Sequence, residues 1–303
     1  MPTFFRFLCF LLCLTLTASA QQPVAAPDLQ PLLAQLMKGK PGAAAVLDVA
    51  SGKLLGSWNL KLASQRLAAP GSTVKPFVLD ELLRTGKIRP EKRLVCRRPL
   101  YISDRRMDCS HSAAITNLDA ADAIAYSCNS YFATVATQLS PQELADVYRR
   151  AGFVSLTRLA PAEAAGRISI PGSTGQLQLQ ALGDWGVEIT PLELLSAYRN
   201  LALQKRRNET GASAAVFDGL EHSVQYGMAH AAQPSGITAA GKTGTAAGRG
   251  TAYTHAFFAG YAPADKPEIV VMVYLENGRG ADAAALAAPI FAAYGKQRHG
   301  AGR

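Results

Sequence analysis

Three runs of apolar residues stand out in the first third of the chain. Residues 43–49 are apolar at every position except Asp48, which predicts a buried strand. Residues 54–58 return after a Ser-Gly-Lys turn as the hairpin partner of that strand. Residues 77–83 then place apolar side chains at helical spacing. The pattern predicts a β-hairpin followed by an amphipathic helix.

The last third of the chain predicts three further strands and a closing helix. The strands are expected at residues 237–244, 255–261 and 269–275, and the helix at residues 281–294. Added to the hairpin, they bring the number of predicted strands to five. The hairpin would supply two strands of a central antiparallel sheet.

The middle of the chain is predicted to be a mostly helical lobe, at about residues 89–200. Its first part, residues 89–112, is polar and basic without a period, which indicates a loop or an insertion. Helical patterns follow at residues 118–124, 130–139, 141–151 and 190–203. We therefore expect an α/β (α+β) fold in which helices flank a sheet beside a helical lobe.

The N-terminal segment, residues 1–20, has the pattern of a signal peptide. Arg6 precedes the apolar run 7–16, and Ala18-Ser19-Ala20 is a small-residue cleavage site. We expect an exported protein, periplasmic or facing the cell wall and soluble after cleavage. An uncleaved N-terminal membrane anchor is the alternative. The predicted organisation is a signal peptide (1–20), a short linker and helix (21–41), the main domain (42–296) and a tail (297–303).

The charge balance narrows the choice of partners. The chain has 31 Lys and Arg residues against 22 Asp and Glu residues, a formal net charge of +9. A basic exported protein is either simply soluble or attracted to anionic surfaces such as a cell wall or lipid headgroups. The sequence contains no nucleic-acid motif, so nucleic acid is not expected as a partner.

Candidate chemistry begins at Ser72, which starts a Ser-x-x-Lys motif with Lys75. A serine hydroxyl is a weak nucleophile until a base accepts its proton. If Ser72 opens a helix, Lys75 lies on the same face, and a lysine in a dry site beside another positive charge loses its proton more easily. By itself this motif is also an ordinary helix start with serine as the N-cap.

Two further motifs make chance a poor explanation. Ser127-Cys128-Asn129 is a Ser-x-Asn motif 55 residues after Ser72. Lys242-Thr243-Gly244 follows 115 residues after Ser127 and is extended by Thr245. The order of the three motifs is that of serine acyl-transferases of the penicillin-binding type.

The chain resembles the transpeptidase domain of class B penicillin-binding proteins over about residues 42–294. Beyond the three motifs, Thr190-Pro191-Leu192-Glu193-Leu194 is similar to a helix start typical of that family, and 255–263 resembles its strand after the third motif. The resemblance implies a five-stranded antiparallel sheet with helices on both faces, beside a helical lobe. The active site is then expected between the sheet and the lobe.

The resemblance also implies a role for each motif residue. Ser72 would be the nucleophile and Lys75 the base for acylation, and Ser127 would pass a proton to the leaving nitrogen. Asn129 would hold Lys75 and a substrate amide. Lys242 would lower the pKa of Lys75 and attract the substrate carboxylate.

The residues after Lys242 are expected to bind the substrate. Thr243, Gly244 and Thr245 form this segment, and the hydroxyls of the two threonines would hold the substrate carboxylate. The backbone N–H groups of Ser72 and Thr245 would form the oxyanion hole. None of this chemistry needs a catalytic cofactor.

The substrate implied by the resemblance is the D-Ala-D-Ala stem peptide of peptidoglycan, with β-lactams as covalent inhibitors and cell-wall synthesis proteins as possible partners. An amine acceptor gives D,D-transpeptidation, water gives carboxypeptidation, and hydrolysis of a β-lactam ester gives a β-lactamase. A β-lactam-binding sensor on the same fold is a further alternative. Glu163 is the candidate deacylating residue of a lactamase, but we interpret it as structural.

Three cysteines and one histidine form a candidate metal site. Cys96, Cys109, His111 and Cys128 make a Cys₃His set, which is a structural zinc pattern. Such a zinc would pin the loop 89–112 against the helix that follows Ser127. The alternative is a Cys96–Cys109 disulfide, with Cys128 as a small buried thiol.

Overall fold

The computed structural model describes residues 28–247 and 253–300, and the predicted signal peptide lies outside these ranges. The described residues form ten α-helices: α1 (Gln30–Met37), α2 (Leu60–Gln65), α3 (Lys75–Arg84), α4 (Ala120–Ala125), α5 (Asn129–Val135), α6 (Pro141–Arg150), α7 (Thr174–Ala181), α8 (Pro191–Arg206), α9 (Ala214–Gln225) and α10 (Gly280–Gly300). Within the same ranges, no helix is both long and apolar enough to cross a membrane.

The strands fall into one large sheet and several short pairs. Along the described parts of the chain they are β1 (Gly42–Asp48), β2 (Leu54–Trp58), β3 (Leu94–Val95), β4 (Tyr101–Ile102), β5 (Arg105–Arg106), β6 (Asn117–Leu118), β7 (Arg167–Ile168), β8 (Val187–Glu188), β9 (Ala240–Ala247), β10 (Thr254–Ala262) and β11 (Ile269–Leu275). The large sheet is antiparallel in the order β2-β1-β11-β10-β9, which confirms the predicted five strands. β9, the strand of the third motif, lies at one edge.

Side chains alternate between two hydrophobic cores because successive strand residues point to opposite faces. On one face, Phe258, Val271 and Val273 pack with residues of α1 and α10. On the other face, Phe257 and Met272 pack with the helices of the lobe and with α3 and α8. The central strand β11 is buried at every position because both of its faces are covered.

The lobe is less purely helical than its sequence pattern predicts. The region expected to be a loop, residues 89–112, contains β3 and the hairpin β4–β5, and β3 pairs with β6. Residues 168–175 include the end of β7 and the start of α7. These strands have only two residues each, too few for a hydrophobic period to be visible.

Two helices begin with a capping box, one buried and one exposed. In α8, Glu193 accepts hydrogen bonds from the backbone N–H groups of Thr190 and Gly166 and is 1% exposed. In α6, Glu143 accepts the N–H of Ser140, and its side chain is 43% exposed. The two boxes have the same local geometry and differ in burial and in the further partner of the glutamate, which is Gly166 for Glu193 and Lys87 for Glu143.

We expect the Glu193→Ala substitution to lower the free energy of unfolding by about 3 kcal/mol, because it leaves buried N–H groups without acceptors. The matched Glu143→Ala substitution should cost only about 1 kcal/mol, because water replaces the exposed cap. Urea unfolding of the two variants measures both values. Equal losses would show that burial of the cap contributes nothing.

Candidate active site

The turn that carries Ser72 lies between the edge strand and the lobe. Gly71 to Val74 form one 3₁₀ turn before α3, rather than the regular helix start expected at Ser72. Gly71 has φ +54°, and a Cβ there would lie 2.7 Å from the carbonyl oxygen of Thr245. Its N–H donates to the carbonyl of Gly183 at 2.9 Å. A glycine is therefore required where the turn touches both neighbours.

Lys75 is fully buried, and its ammonium is satisfied from the second motif. Lys75 Nζ donates to Asn129 Oδ1 at 2.6 Å and to the carbonyl oxygen of Ser127 at 2.8 Å. The Ser127 hydroxyl is 3.3 Å away. The ring of Phe132 lies beside the ammonium, with its centroid 5.2 Å from Nζ. The first and second motifs, which are distant in sequence, thus contact each other.

The second motif sits in a constrained loop between α4 and α5. Ser127 has φ +53°, a left-handed conformation that non-glycine residues rarely adopt and that recurs at functional sites. Asn129 starts α5, and its side-chain amide donates to the carbonyl oxygens of Met107 and Asp108 at 3.0 and 3.3 Å. One asparagine therefore connects Lys75 with the loop 89–112.

Lys242 and Gly244 lie on the face of β9 towards the nucleophile turn. Lys242 is fully buried and donates to the carbonyl of Thr243 at 3.1 Å. A Cβ on Gly244 would collide with the carbonyl of Pro70 and lie 2.9 Å from Thr73 Cγ2. The absence of a side chain at Gly244 therefore lets β9 contact the Ser72 turn directly.

The two threonines of the third motif point away from that turn, towards α10. A Cβ on Gly280, the first residue of α10, would lie 2.7 Å from Thr243 Cβ. The Thr245 hydroxyl accepts a hydrogen bond from the N–H of Gly280 at 2.8 Å. Its oxygen is thereby fixed, while its proton can still be donated. Thr245 is exposed and Thr243 is buried.

Burial is the main cause of the lowered pKa values of Lys75 and Lys242. Removal from water lowers the pKa of Lys75 to about 8, and the nearby cysteines oppose this shift. Burial also lowers the pKa of Lys242 well below its ordinary value, and the charge of Lys75 adds to the effect. A dry site and the charge of Lys242 were the two causes expected for the lowered pKa of Lys75, and burial is the larger of them.

Glu163 is engaged within its own loop. Its carboxylate accepts backbone N–H groups from Thr157, Arg158, Leu159 and Ala160, and the Thr157 hydroxyl donates to it at 2.9 Å. These contacts lower its pKa despite the opposing effect of burial, which is the largest single influence. The structural interpretation of Glu163 agrees with this geometry.

The four predicted metal ligands lie together between the loop and α5. All four candidate ligand atoms are within 4.8 Å of one another. The Sγ atom of Cys109 lies 3.5 Å from that of Cys96 and 3.6 Å from that of Cys128, and His111 Nε2 lies 3.6 Å from Cys96 Sγ.

These separations fit a zinc ion. Two thiolates bound at about 2.3 Å in a tetrahedron lie about 3.8 Å apart. The three cysteines are free thiols in this structure, without the alternative disulfide. The hydrogen bond with Cys128 lowers the pKa of Cys109, which favours a thiolate in the cluster.

The metal-ligand cluster is joined to the second motif through the start of α5. The N–H of Ser130 points at Cys109 Sγ at 3.4 Å, and the Ser130 hydroxyl accepts the N–H of Arg97 at 2.9 Å. Cys128 Sγ accepts the N–H of Tyr131 at 3.4 Å and caps the helix. The geometry of the cluster and that of Ser127 and Asn129 are therefore linked.

Three neighbours of the site were not found by sequence reasoning. Phe132 lies under Lys75, Gly183 holds the turn of Ser72, and Arg105 forms an ion pair with Asp184 next to Gly183. Phe132 lies three residues after Asn129 on α5, so helical spacing from the second motif was a usable signal. The other contacts join segments that have no shared pattern in sequence.

The fold is that of transpeptidase domains in solved structures. A crystal structure of a peptidoglycan glycosyltransferase from Burkholderia ambifaria matches with a TM-score of 0.75 and 22% identity, covering 90% of this chain and 93% of that one. The D,D-transpeptidase domain of a peptidoglycan glycosyltransferase from Eggerthella lenta matches with a TM-score of 0.77 and 20% identity, covering 91% and 81%.

The sequence comparison identifies the family. The profile of the penicillin binding protein transpeptidase domain matches residues 39–294, so the chain belongs to this family, as a class B type protein. It is 28% identical over 223 residues to the peptidoglycan D,D-transpeptidase MrdA of Acinetobacter baumannii, covering 56% of this chain. That match spans only 33% of the relative's length.

We expect the side chain of Lys75 to lose its proton at about pH 8, because its burial disfavours the charged form. The neutral amine then predominates above this pH. NMR titration of ¹³Cε-labelled lysine measures it, and the Lys75→Arg variant assigns the signal. A Lys75 signal that titrates at the ordinary lysine value of about 10.4 would contradict the expectation.

Proposed function

We propose that this chain is a peptidoglycan D,D-transpeptidase that acts through an ester on Ser72. The observation that carries the proposal is the buried Lys75 amine, hydrogen-bonded to Ser127 and Asn129 one turn from Ser72. A lysine with a pKa near 8 is a suitable base at neutral pH, and Ser127 is placed to share its proton. Membership of the transpeptidase family supports the same chemistry, which needs no catalytic cofactor.

In the proposed acylation, Lys75 accepts the Ser72 proton while Ser72 Oγ attacks the carbonyl of the penultimate D-Ala. The N–H groups of Ser72 and Thr245 stabilise the oxyanion, because the contact of Gly71 with Thr245 brings the two segments together. The C–N bond then breaks, and Ser127 delivers the proton to the leaving D-Ala.

Deacylation regenerates Ser72. An acceptor amine attacks the ester carbonyl and gives its proton to the Lys75 and Ser127 pair, the C–O bond breaks, and the pair returns that proton to Ser72. During acylation, the terminal carboxylate of the substrate favours the protonated form of Lys242 and accepts a hydrogen bond from the Thr245 hydroxyl, with Thr243 and Gly244 alongside. Asn129 orients the substrate amide as well as Lys75.

The contacts of Glu163 favour transfer over lactamase activity, because its carboxylate already accepts hydrogen bonds from its own loop. We further propose that the protein is exported and acts facing the cell wall, with β-lactams as covalent inhibitors. Cell-wall synthesis proteins are proposed as partners. A fold relative from Helicobacter pylori, penicillin-binding protein PBP2, is known in complex with MreC, with a TM-score of 0.76 and 20% identity, covering 89% of this chain and 62% of that one.

We also propose a structural zinc ion held by Cys96, Cys109, His111 and Cys128. The short separations of the four ligand atoms, all within 4.8 Å of one another, support it. The role of these residues is to hold the loop 89–112 against α5, where Asn129 contacts Met107.

We expect benzylpenicillin to add one drug mass to the protein through Ser72, because the strained lactam carbonyl replaces the substrate carbonyl. Intact-mass spectrometry over time measures the adduct. The Ser72→Ala variant should show none, and Ser127→Ala should acylate about a hundredfold more slowly because the proton relay is lost.

The stability of the adduct distinguishes the alternatives. A long-lived adduct with transfer of a stem peptide to an amine supports the transpeptidase. Release of D-Ala to water alone identifies a carboxypeptidase, and an adduct that vanishes as the drug is consumed identifies a β-lactamase. A stable adduct without turnover of stem peptide indicates a sensor, and no adduct with the wild type overturns the proposal.

For the zinc proposal, we expect one zinc per protein by elemental analysis. After chelation, Cys96, Cys109 and Cys128 should all react with a thiol reagent, and the melting temperature should fall because the loop loses its anchor. The Cys109→Ser variant should lose the metal, whereas the adjacent Ser110→Ala variant should retain it. Protein with no zinc and one reactive thiol would contradict the proposal and support the disulfide.

A further inference from the structure

A polar cavity of about 560 Å³ opens beside the Ser72 turn and is not used by the chemistry described above. One wall is the segment from Arg66 to Ala69, which leads directly into the turn. The facing walls come from the β7–β8 pair and from the ends of β9 and β10. Its volume suits a small chemical group rather than a macromolecule.

The position of the cavity follows from the direction of β9. Along this strand Lys242 comes first, Thr245 lies at the Ser72 turn, and Ala247 lines the cavity. Ala247 is about 7 Å beyond Thr245 at the usual rise of a strand. In the proposed reaction the leaving D-Ala carboxylate lies towards Lys242. The acyl part of the stem peptide therefore extends the other way, towards the cavity.

The acidic groups that line the cavity are already engaged. Asp184 forms an ion pair with Arg105, and its side chain is only 12% exposed. Glu188 lies opposite Arg167 in the β7–β8 register, and it already interacts with another group. Neither carboxylate is an open site for a cationic ligand group.

The guanidinium groups that line the cavity have N–H donors available for hydrogen bonds to a ligand. Arg66 is 49% exposed, approaches Glu276 only at 3.9 Å and meets the Tyr274 hydroxyl at 3.4 Å. Arg167 is exposed and lies opposite Glu188 in the β7–β8 pair. Because each guanidinium carries five N–H donors, the two side chains offer several to a carboxylate.

His255 completes the wall next to the turn. It is 5% exposed, and burial lowers its pKa, so the ring is neutral. Its Nε2 atom donates to the carbonyl of Ala69 at 2.7 Å, which fixes the segment between Arg66 and Ser72.

We propose that this cavity is a subsite for a carboxylate on the acyl side of the stem peptide, bound by Arg66 and Arg167. The proposal rests on the proposed function, which sets the direction of the substrate along β9. The subsite selects donor peptides that carry an acidic group upstream of the scissile bond.

The first test uses N-acyl-D-alanyl thioesters of increasing acyl chain length, each ending in a carboxylate or in the neutral carboxamide. Ser72 Oγ attacks the thioester carbonyl, the C–S bond breaks, and the thiol leaves with a proton. The second-order acylation constant is measured by thiol release and intact mass. We expect the wild type to prefer the carboxylate end at one chain length, and the preference to weaken as salt is added.

The Arg66→Gln and Arg167→Gln variants should each reduce this preference about three- to fivefold, the effect expected of a partly exposed ion pair. The carboxamide constants should stay unchanged, because glutamine keeps the wall and removes only the charge. Arg89→Gln is the matched control, since it removes one exposed charge away from the cavity. No preference in the wild type, or equal effects of all three variants, would overturn the subsite.

A binding measurement separates the subsite from catalysis. In a Ser72→Ala, Trp58→Phe background, Trp185 on the cavity wall is the remaining tryptophan. N-acyl-D-Ala-D-Ala peptides with a carboxylate end should change the fluorescence of Trp185 at lower concentrations than the corresponding carboxamide peptides. This difference persists even if wild-type Ser72 proves unable to acylate, in which case the proposed function fails while the subsite stands. Equal affinities would overturn the subsite alone.

Discussion

The burial of the Lys75 ammonium is the constraint on which the rest of the site depends. A charged amine without water must find acceptors, and Asn129 and Ser127 supply them from a loop more than fifty residues away. Neither acceptor reaches Lys75 unless the loop between α4 and α5 lies against the start of α3, where α4 itself packs. The same burial lowers the pKa of Lys75 towards neutrality. One interaction therefore joins two halves of the domain and prepares the base.

The hydrogen bonds that hold Lys75 also involve the loop 89–112. The Asn129 side chain has its oxygen on Lys75 and its amide on Met107 and Asp108, so it is fixed from both sides. Cys128 caps the same helix, which places the proposed zinc one residue from both catalytic candidates. Loss of order in the loop would free the amide that orients the lysine. A structural site is thus coupled to the chemistry without taking part in it.

Strand β9 lies at the sheet edge and touches the turn of Ser72 through Gly244. Lys242 lies at one end of this edge and the arginine-lined cavity at the other, with Ser72 between them. In the proposed function, the strand would therefore order the substrate and separate its leaving side from its acyl side. The electrostatic character of the two ends differs: a buried lysine at one, and exposed guanidinium groups at the other.

The sequence by itself determined the five main strands, the three motifs and the Cys₃His set, because hydrophobic periods and short spacings are local properties. Residues 54–58 and 269–275 form strands with the predicted bounds. Only the tertiary structure decided that Thr243 and Thr245 face α10, that burial is the main cause of the lowered pKa of Lys75, and that Arg66 and Arg167 share a cavity. The direction that a side chain faces, its burial and its proximity to other residues are decided when distant segments pack. No pattern within one segment contains this information.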